Sequence, residues 1–370
     1  SLAALGHRNL ALRAYRRFES MLERELALPP EEKTQSLANS IRDGMPNPDP
    51  SPPIPFPLPT APLVGREAQL EALNDLLTER EHRLLTLLGP GGSGKTRLAL
   101  HIMESQMPDW RHGVRIISLA ELAEEGSTES IVEAMAANLD VPMTQGRSTV
   151  DALLAFLRRR EMLLILDNFE HLLPDGARLL RSILQHAPEV KILATSQARL
   201  NLPEEWVVRM EGLSLPPLED SNEENVCAES ESVALFAHHA RRVKPGWELT
   251  AQNRACVTRI CHLVEGLPLA LELAAVWVRG ASACHIAEEI ADNVDFLRSA
   301  TPHRPARHRS LAATFAYAYG LLAEADRALF RRLAVFPGSF LTADAKQIVG
   351  ATLSAMARLL DRSLIRLSDA

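Results

Sequence analysis

Leu84-Leu-Thr-Leu-Leu-Gly-Pro-Gly-Gly-Ser-Gly-Lys-Thr-Arg-Leu-Ala-Leu100 is the stretch on which the fold turns. Leu84–Leu88 is an apolar run of strand length. Lys95–Gln106 has the amphipathic spacing of a helix, and Gly89 to Thr96 between them fits G-x-x-x-x-G-K-[ST]. A strand leading in and a helix leading out are the context this pattern requires. Gly89, Gly91, Gly92 and Gly94, with Ser93, let successive backbone amides turn toward phosphate oxygens at a distance a Cβ would forbid. Lys95 adds positive charge at the β/γ position, Thr96 offers its hydroxyl to a magnesium ion, and Arg97 opens the helix whose N-terminus favours the anion.

Working outward, residues 63–218 alternate short apolar runs with amphipathic helices, the pattern of a parallel α/β sheet. Strands are expected at Leu84–Leu88, Val114–Leu119, Met162–Asp167, Val190–Thr195 and Trp206–Met210. Helices are expected at Arg66–Thr78, Lys95–Gln106, Ser127–Asn138, Val150–Arg159 and Gly176–His186. A phosphate loop needs an acidic partner for the metal at the end of a buried strand, and Met162-Leu-Leu-Ile-Leu-Asp167 supplies it. Asp167 is therefore the second magnesium residue beside Thr96. Asn168 follows where a carboxylate that polarises attacking water is common in motor enzymes; an amide orients water but takes no proton. Glu170 is the nearest substitute, so Lys95, Asp167 and Glu170 form the expected catalytic set. If their strands adjoin, Thr195-Ser196-Gln197 stands level with the loop and Asp167, as a γ-phosphate sensor would. No N-K-x-D-like motif reads guanine, so the expected nucleotide is ATP or ADP.

Beyond Leu218 the strand signals stop. Ser230–Val243, Ala251–Val264 and Leu267–Val278 read as a small all-α bundle within 219–300. Residues 301–370 open with polar Pro302–Arg309 and continue with helical patterns at Leu311–Leu321, Ala323–Ala334, Ala343–Gly350 and Leu353–Asp361. A strand-like Leu364–Leu367 then suggests an incomplete winged helix. At the other end, Ala11, Tyr15, Phe18, Leu22 and Leu26 recur at helical spacing within 8–26, and Glu31–Ile41 resumes the pattern before Gly44. Residues 1–44 thus read as the end of a helical-repeat domain entered in mid-pattern. Nine prolines from Pro46 to Pro62 leave 45–62 as an extended linker.

Composition bounds the function. Apolar residues make up 46% and charged residues 24%, which is globular, while 40 basic against 47 acidic residues give a net charge of -7. That balance provides no global footprint for nucleic acid or an anionic membrane. No apolar run is long enough to span a bilayer and no leader pattern opens the sequence, so a cytoplasmic location is expected. The four cysteines, Cys227, Cys256, Cys261 and Cys284, show no paired framework, and disulfides are not expected. A zinc site is not expected either, because Cys256 and Cys261 point about 140° apart on a helix.

Taken together, these motifs resemble the signal transduction ATPases with numerous domains (the STAND class), which are related to the NB-ARC proteins. The marks are Val64-Gly65-Arg66-Glu67, the phosphate loop, Leu166-Asp167-Asn168-Phe169-Glu170-His171-Leu172, Thr195-Ser196-Gln197 and Gly266-Leu267-Pro268-Leu269-Ala270. The resemblance implies that Val64, Gly65, Arg66 and Pro268 lie against the adenine, and that the bundle and winged helix close over the nucleotide. Ala11-Leu-Arg-Ala-Tyr-Arg-Arg-Phe through Leu22-Glu-Arg-Glu-Leu resembles the last repeats of the bacterial transcriptional activator domain. Where relatives often carry an arginine sensor this chain has Gln197, with Arg199 displaced by two. No Met-His-Asp-like triplet follows. The expected function is a slow ATPase switch in a bacterial regulator, closed with ADP and open and self-associating with ATP. DNA would be bound only through domains outside these residues, and no membrane partner is expected. Two other classes stay open. A DNA-stimulated AAA+-type motor or loader predicts a basic, aromatic-interleaved groove. A nucleotide-stabilised scaffold predicts that signalling survives loss of hydrolysis.

Overall fold

The computed structural model describes residues 15, 19, 30–31, 34–35, 63–120, 122, 128–142, 148–217, 230–298 and 310–367. Most of the N-terminal helical patterns, the proline segment 46–62 and the polar stretch 301–309 lie outside the described residues.

Helices and strands alternate from α1 (Glu67–Thr78), β1 (Leu84–Leu88), α2 (Lys95–Gln106) and β2 (Val114–Ser118) to α3 (Thr128–Asn138) and α4 (Thr149–Leu157). They continue as β3 (Met162–Asp167), α5 (Asp175–His186), β4 (Val190–Ser196) and β5 (Glu205–Arg209). All pairings are parallel, in the order β2-β3-β4-β1-β5. The chain therefore leaves β1 and β3 before β4 inserts between them. The loop that follows β4 emerges between the phosphate loop and Asp167, and β5 then takes the far side of β1.

The unbroken apolar run of β3 has a physical reason. Leu163 and Ile165 pack with α1 and α2 on one face, while Leu164 and Leu166 pack with α3, α4 and α5 on the other. Both faces are covered, so no polar alternation survives. Each such fully buried aliphatic side chain contributes about 1.5–3 kcal/mol.

The chain then forms α6 (Glu231–Val243), α7 (Ala251–Leu263), α8 (Pro268–Ala275) and α9 (Ala283–Asp292) around Phe236, Ile260, Leu271 and Ile286. Four more helices, α10 (Leu311–Gly320), α11 (Glu324–Leu333), α12 (Thr342–Val349) and α13 (Leu353–Asp361), surround a smaller core of Leu322, Leu329, Leu333 and Leu359.

Four expectations need correction. Leu364–Leu367 is turn and irregular backbone, because no strand lies beside it among the described residues. The helix read at Leu267–Val278 is α8 followed by a 3-10 turn, Val276–Arg279. A helix not foreseen, α9, is started by Ser282, whose hydroxyl accepts from the His285 amide. Finally, Cys256 and Cys284 are joined by a disulfide; they lie 28 residues apart in sequence, and only the packing of α7 on α9 brings them together.

Candidate functional site

The site begins where β1 ends. Gly92 and Gly94 take φ values of 81° and 94°, in the left-handed region that penalises a Cβ, and Gly94 caps α2. These two turns curl the loop so that the Lys95 ammonium donates to the carbonyls of Gly89 at 2.8 Å and Pro90 at 2.9 Å. The loop is thus a cradle with a cation held across it.

Asp167 closes the cradle from β3. Its Oδ1 accepts from Thr96 Oγ1 at 2.7 Å and from Thr195 Oγ1 at 2.6 Å. The same Thr195 hydroxyl accepts from the Asn168 amide at 2.9 Å. The pairing of β3 with β4 that the sequence left conditional is therefore present, and it brings Thr195 to Asp167. Sequence reading placed Thr195 in the sensor segment but missed this bond; the signal was a hydroxyl one step past the Leu166–Ala194 register.

Asn168 sits at a left-handed turn. Its φ is 67°, a conformation that asparagine tolerates better than most residues, and its side-chain amide lies 3.2 Å from His171 Nδ1. The backbone turn accounts for the amide where a carboxylate was looked for. His171, buried and beside it, was not singled out from sequence.

Glu170 and Gln197 come together in a buried pair. Gln197 donates to Glu170 through Nε2 at 3.0 Å and through its backbone amide at 3.3 Å. Gln197 Oε1 is buried without a hydrogen-bond partner among the described residues. The same side-chain amide lies 3.6 Å from where a Cβ on Gly91 would stand. Gln197 thus spans from Glu170 to the phosphate loop. Arg199, by contrast, turns away and pairs with Asp361 of α13 at 4.0 Å, while its backbone amide donates to Asp361 O at 3.0 Å.

The helical units reach the loop directly. The Leu269 amide at the start of α8 donates to Gly92 O at 3.2 Å, next to half-buried Pro268. A Cβ on Gly92 would come within 2.7 Å of Leu269, and one on Gly91 within 2.2 Å of the Thr314 methyl of α10. Arg362, just past α13, faces Glu170 and Asp326; burial pulls its guanidinium below the usual value and these two carboxylates oppose that pull. The contacts of Leu269, Thr314 and Arg362 with the site were not foreseen, because contacts between segments so far apart in sequence leave no local pattern.

On the opposite side, Arg66 is buried and donates to Ser93 O at 3.3 Å and to Glu211 O. Val64 packs against the α6–α9 core, and Gly65, with φ 66°, lies against the Glu231 side chain. Arg97, on the first turn of α2, lies near Glu272 of α8 and Arg242 of α6; burial pulls its pKa down, Glu272 raises it and Arg242 lowers it. The candidate residues therefore surround one crevice between sheet and helices.

The set fits a nucleotide with magnesium. Gly94 has nothing within 4 Å of where a Cβ would stand, which leaves room for a phosphate oxygen, and Thr96 and Asp167 are hard oxygen donors of the sparse kind that Mg²⁺ uses while keeping much of its water. Among the described residues no cluster of three or more His, Cys, Asp or Glu is placed to hold a metal ion, and no helix is long and apolar enough to cross a membrane.

Comparison with known proteins follows this geometry. Residues 62–194 match the AAA ATPase domain, and residues 1–42 match the bacterial transcriptional activator domain. A Mycobacterium tuberculosis protein, Rv0894, is 32% identical over 311 residues, covering 82% of this chain and 74% of its own length. The chain belongs to the AAA ATPase-domain family. Nucleotide binding, typically with magnesium, comes with membership. Rv0890c of the same organism, named as an HTH-type transcriptional regulator, is 36% identical over 297 residues. That match takes in 78% of this AAA-domain chain but 32% of Rv0890c, so the chain spans about a third of the length of that relative. Two solved structures are similar to it at low identity. One is a STAND protein with a tetratricopeptide repeat sensor from Pyrococcus horikoshii, 16% identical with a TM-score of 0.40, covering 85% of this chain and 42% of that one. The other is Cdc6p from Pyrobaculum aerophilum, 17% identical with a TM-score of 0.39, covering 85% and 87%.

Proposed function

We propose that this chain is the nucleotide switch of a larger bacterial transcriptional regulator: it binds ATP with magnesium, hydrolyses it slowly, stays closed around ADP, and opens and self-associates with ATP. Lys95 and the amides of Gly89–Thr96 hold the phosphates, with Arg97 beside them. Thr96 and Asp167 hold the magnesium, which supplies neutralisation of phosphate charge. Val64, Gly65, Arg66 and Pro268 frame the base. DNA contact is assigned to parts of the longer protein outside these 370 residues.

The observation that carries the reading is how Glu170 is held. In this reading it is the carboxylate that takes a proton from attacking water, and it is 2% exposed and bonded by both donors of Gln197. A base whose oxygens are engaged by the sensor works only when the sensor lets go. A γ-phosphate that attracts the Gln197 amide would free Glu170, and Arg362, just past α13, adds its positive charge near the same carboxylate. Such an arrangement suits a timed switch and not a fast motor. Denaturing the purified chain and identifying the released nucleotide tests it: stoichiometric ADP is expected, and rapid steady turnover above about 1 s⁻¹, within the ordinary enzyme range, would refute it.

A further inference from the structure

Outside the nucleotide crevice, the feature with its own chemistry is the meeting of Cys256 on α7 with Cys284 on α9. Their Cα atoms are 4.8 Å apart, inside the span a disulfide requires, and both residues are half-buried at the surface of the bundle. Cys261, on the same helix as Cys256, is fully buried and takes no part in the pair. The chain has 4 cysteines in 370 residues, so two of them side by side with solvent access form a placed pair and not a compositional accident.

What the pair grips matters for the loop. α7 runs from Ala251 to Leu263 and ends at Glu265 and Gly266, whose φ values are 50° and 65°. That turn is pinned to the segment leaving the sheet: Leu213 N donates to Gly266 O at 2.9 Å. Three residues further on, Leu269 N donates to Gly92 O of the phosphate loop at 3.2 Å. A cross-link between α7 and α9 therefore restrains the helix whose C-terminal turn leads into Leu269 of α8.

We propose that Cys256 and Cys284 are a reversible thiol–disulfide modification site that sets how firmly the residue 264–269 turn is held on the phosphate loop. The oxidant is a hydroperoxide. One thiolate attacks the terminal peroxide oxygen, the O–O bond breaks, and the leaving alkoxide or hydroxide takes a proton, giving a sulfenic acid and an alcohol or water. The second thiol attacks the sulfenic sulfur, the S–S bond forms and water leaves, so two thiols lose two electrons and two protons in all. A dithiol reverses the step through a mixed disulfide, itself becoming a disulfide.

The test compares the wild-type chain after hydrogen peroxide with the same chain after dithiothreitol, without nucleotide, so that failure of the switch reading leaves it unaffected. Thiol titration is expected to fall from four to two per chain on oxidation, with peptide mapping giving a 256–284 cross-link. The cross-link should persist in Cys261→Ser and vanish in Cys256→Ser. Hydrogen exchange of peptides covering 264–269 should slow by roughly threefold or more in the oxidised chain, as expected when a local opening is restrained. Four reactive thiols after peroxide, or a cross-link through Cys227 or Cys261, would overturn the site. Identical exchange at 264–269 in the two forms would overturn its link to the loop.

Discussion

The two walls of the crevice are built differently. Gly89–Thr96 and Asp167 hang on β1 and β3, strands with every residue buried, and Asp167 is fixed by two hydroxyl donors. Glu170 and Gln197 are held by each other, near the charge of Arg362, beside a C-terminal unit anchored through Arg199 and Asp361. The rigid wall costs a sheet to rearrange, whereas the second moves when a few side-chain bonds exchange. On the proposed function, grip belongs to the first wall and timing to the second.

The hardest way to break that division is Lys95→Ala. Loss of a charged donor to phosphate should weaken ATP and ADP together by about 100-fold or more, read by equilibrium dialysis. Asp167→Asn sharpens it. Turnover should fall by about 100-fold while ADP affinity without magnesium changes by less than about tenfold, because the neutral side chain still accepts from Thr96 and Thr195 but no longer neutralises the metal. If binding and turnover fell in step in Asp167→Asn, grip and timing would not be separable.

A third prediction concerns the bundle that backs the timing wall. His239 is buried, and burial pushes its imidazole down to about 4, with His238, Arg242 and Arg97 adding to the effect and Glu272 opposing it. The unfolded chain binds that proton near the ordinary value of about 6.5. Stability from neutral His239 is therefore complete above about 6.5 and is lost as pH falls toward 4, by on the order of 1–3 kcal/mol. Urea midpoints measured between these pH values should show the slope, and His239→Gln should flatten it. A smaller effect is expected at Asn168: Asn168→Ala should cost about 1 kcal/mol for its left-handed backbone, and Asn168→Gly much less.

Legibility in the sequence followed the same division. Met162–Asp167 was readable to the residue because burial on both faces removes alternation, and the loop was readable because its glycines obey local backbone rules. Asn168 reads as a missing acid in a one-letter comparison, which hides its positive φ. Arg362 beside Glu170, Thr314 on Gly91 and the Cys256–Cys284 pair depend on packing between distant segments. The winged-helix strand failed at Leu364–Leu367 for a related reason: an apolar run becomes a strand only when a partner supplies its ladder.

That the bonds of Gln197 and the nearby positive charge of Arg362 restrain Glu170 is tested most directly by the ATP turnover rate of the wild-type chain beside Arg362→Ala and Arg362→Lys. The account predicts wild-type turnover below about 1 s⁻¹, a rise of roughly threefold or more in Arg362→Ala, and a return toward wild type in Arg362→Lys. Wild-type turnover above that rate, or an Arg362→Ala chain no faster than wild type, would contradict it.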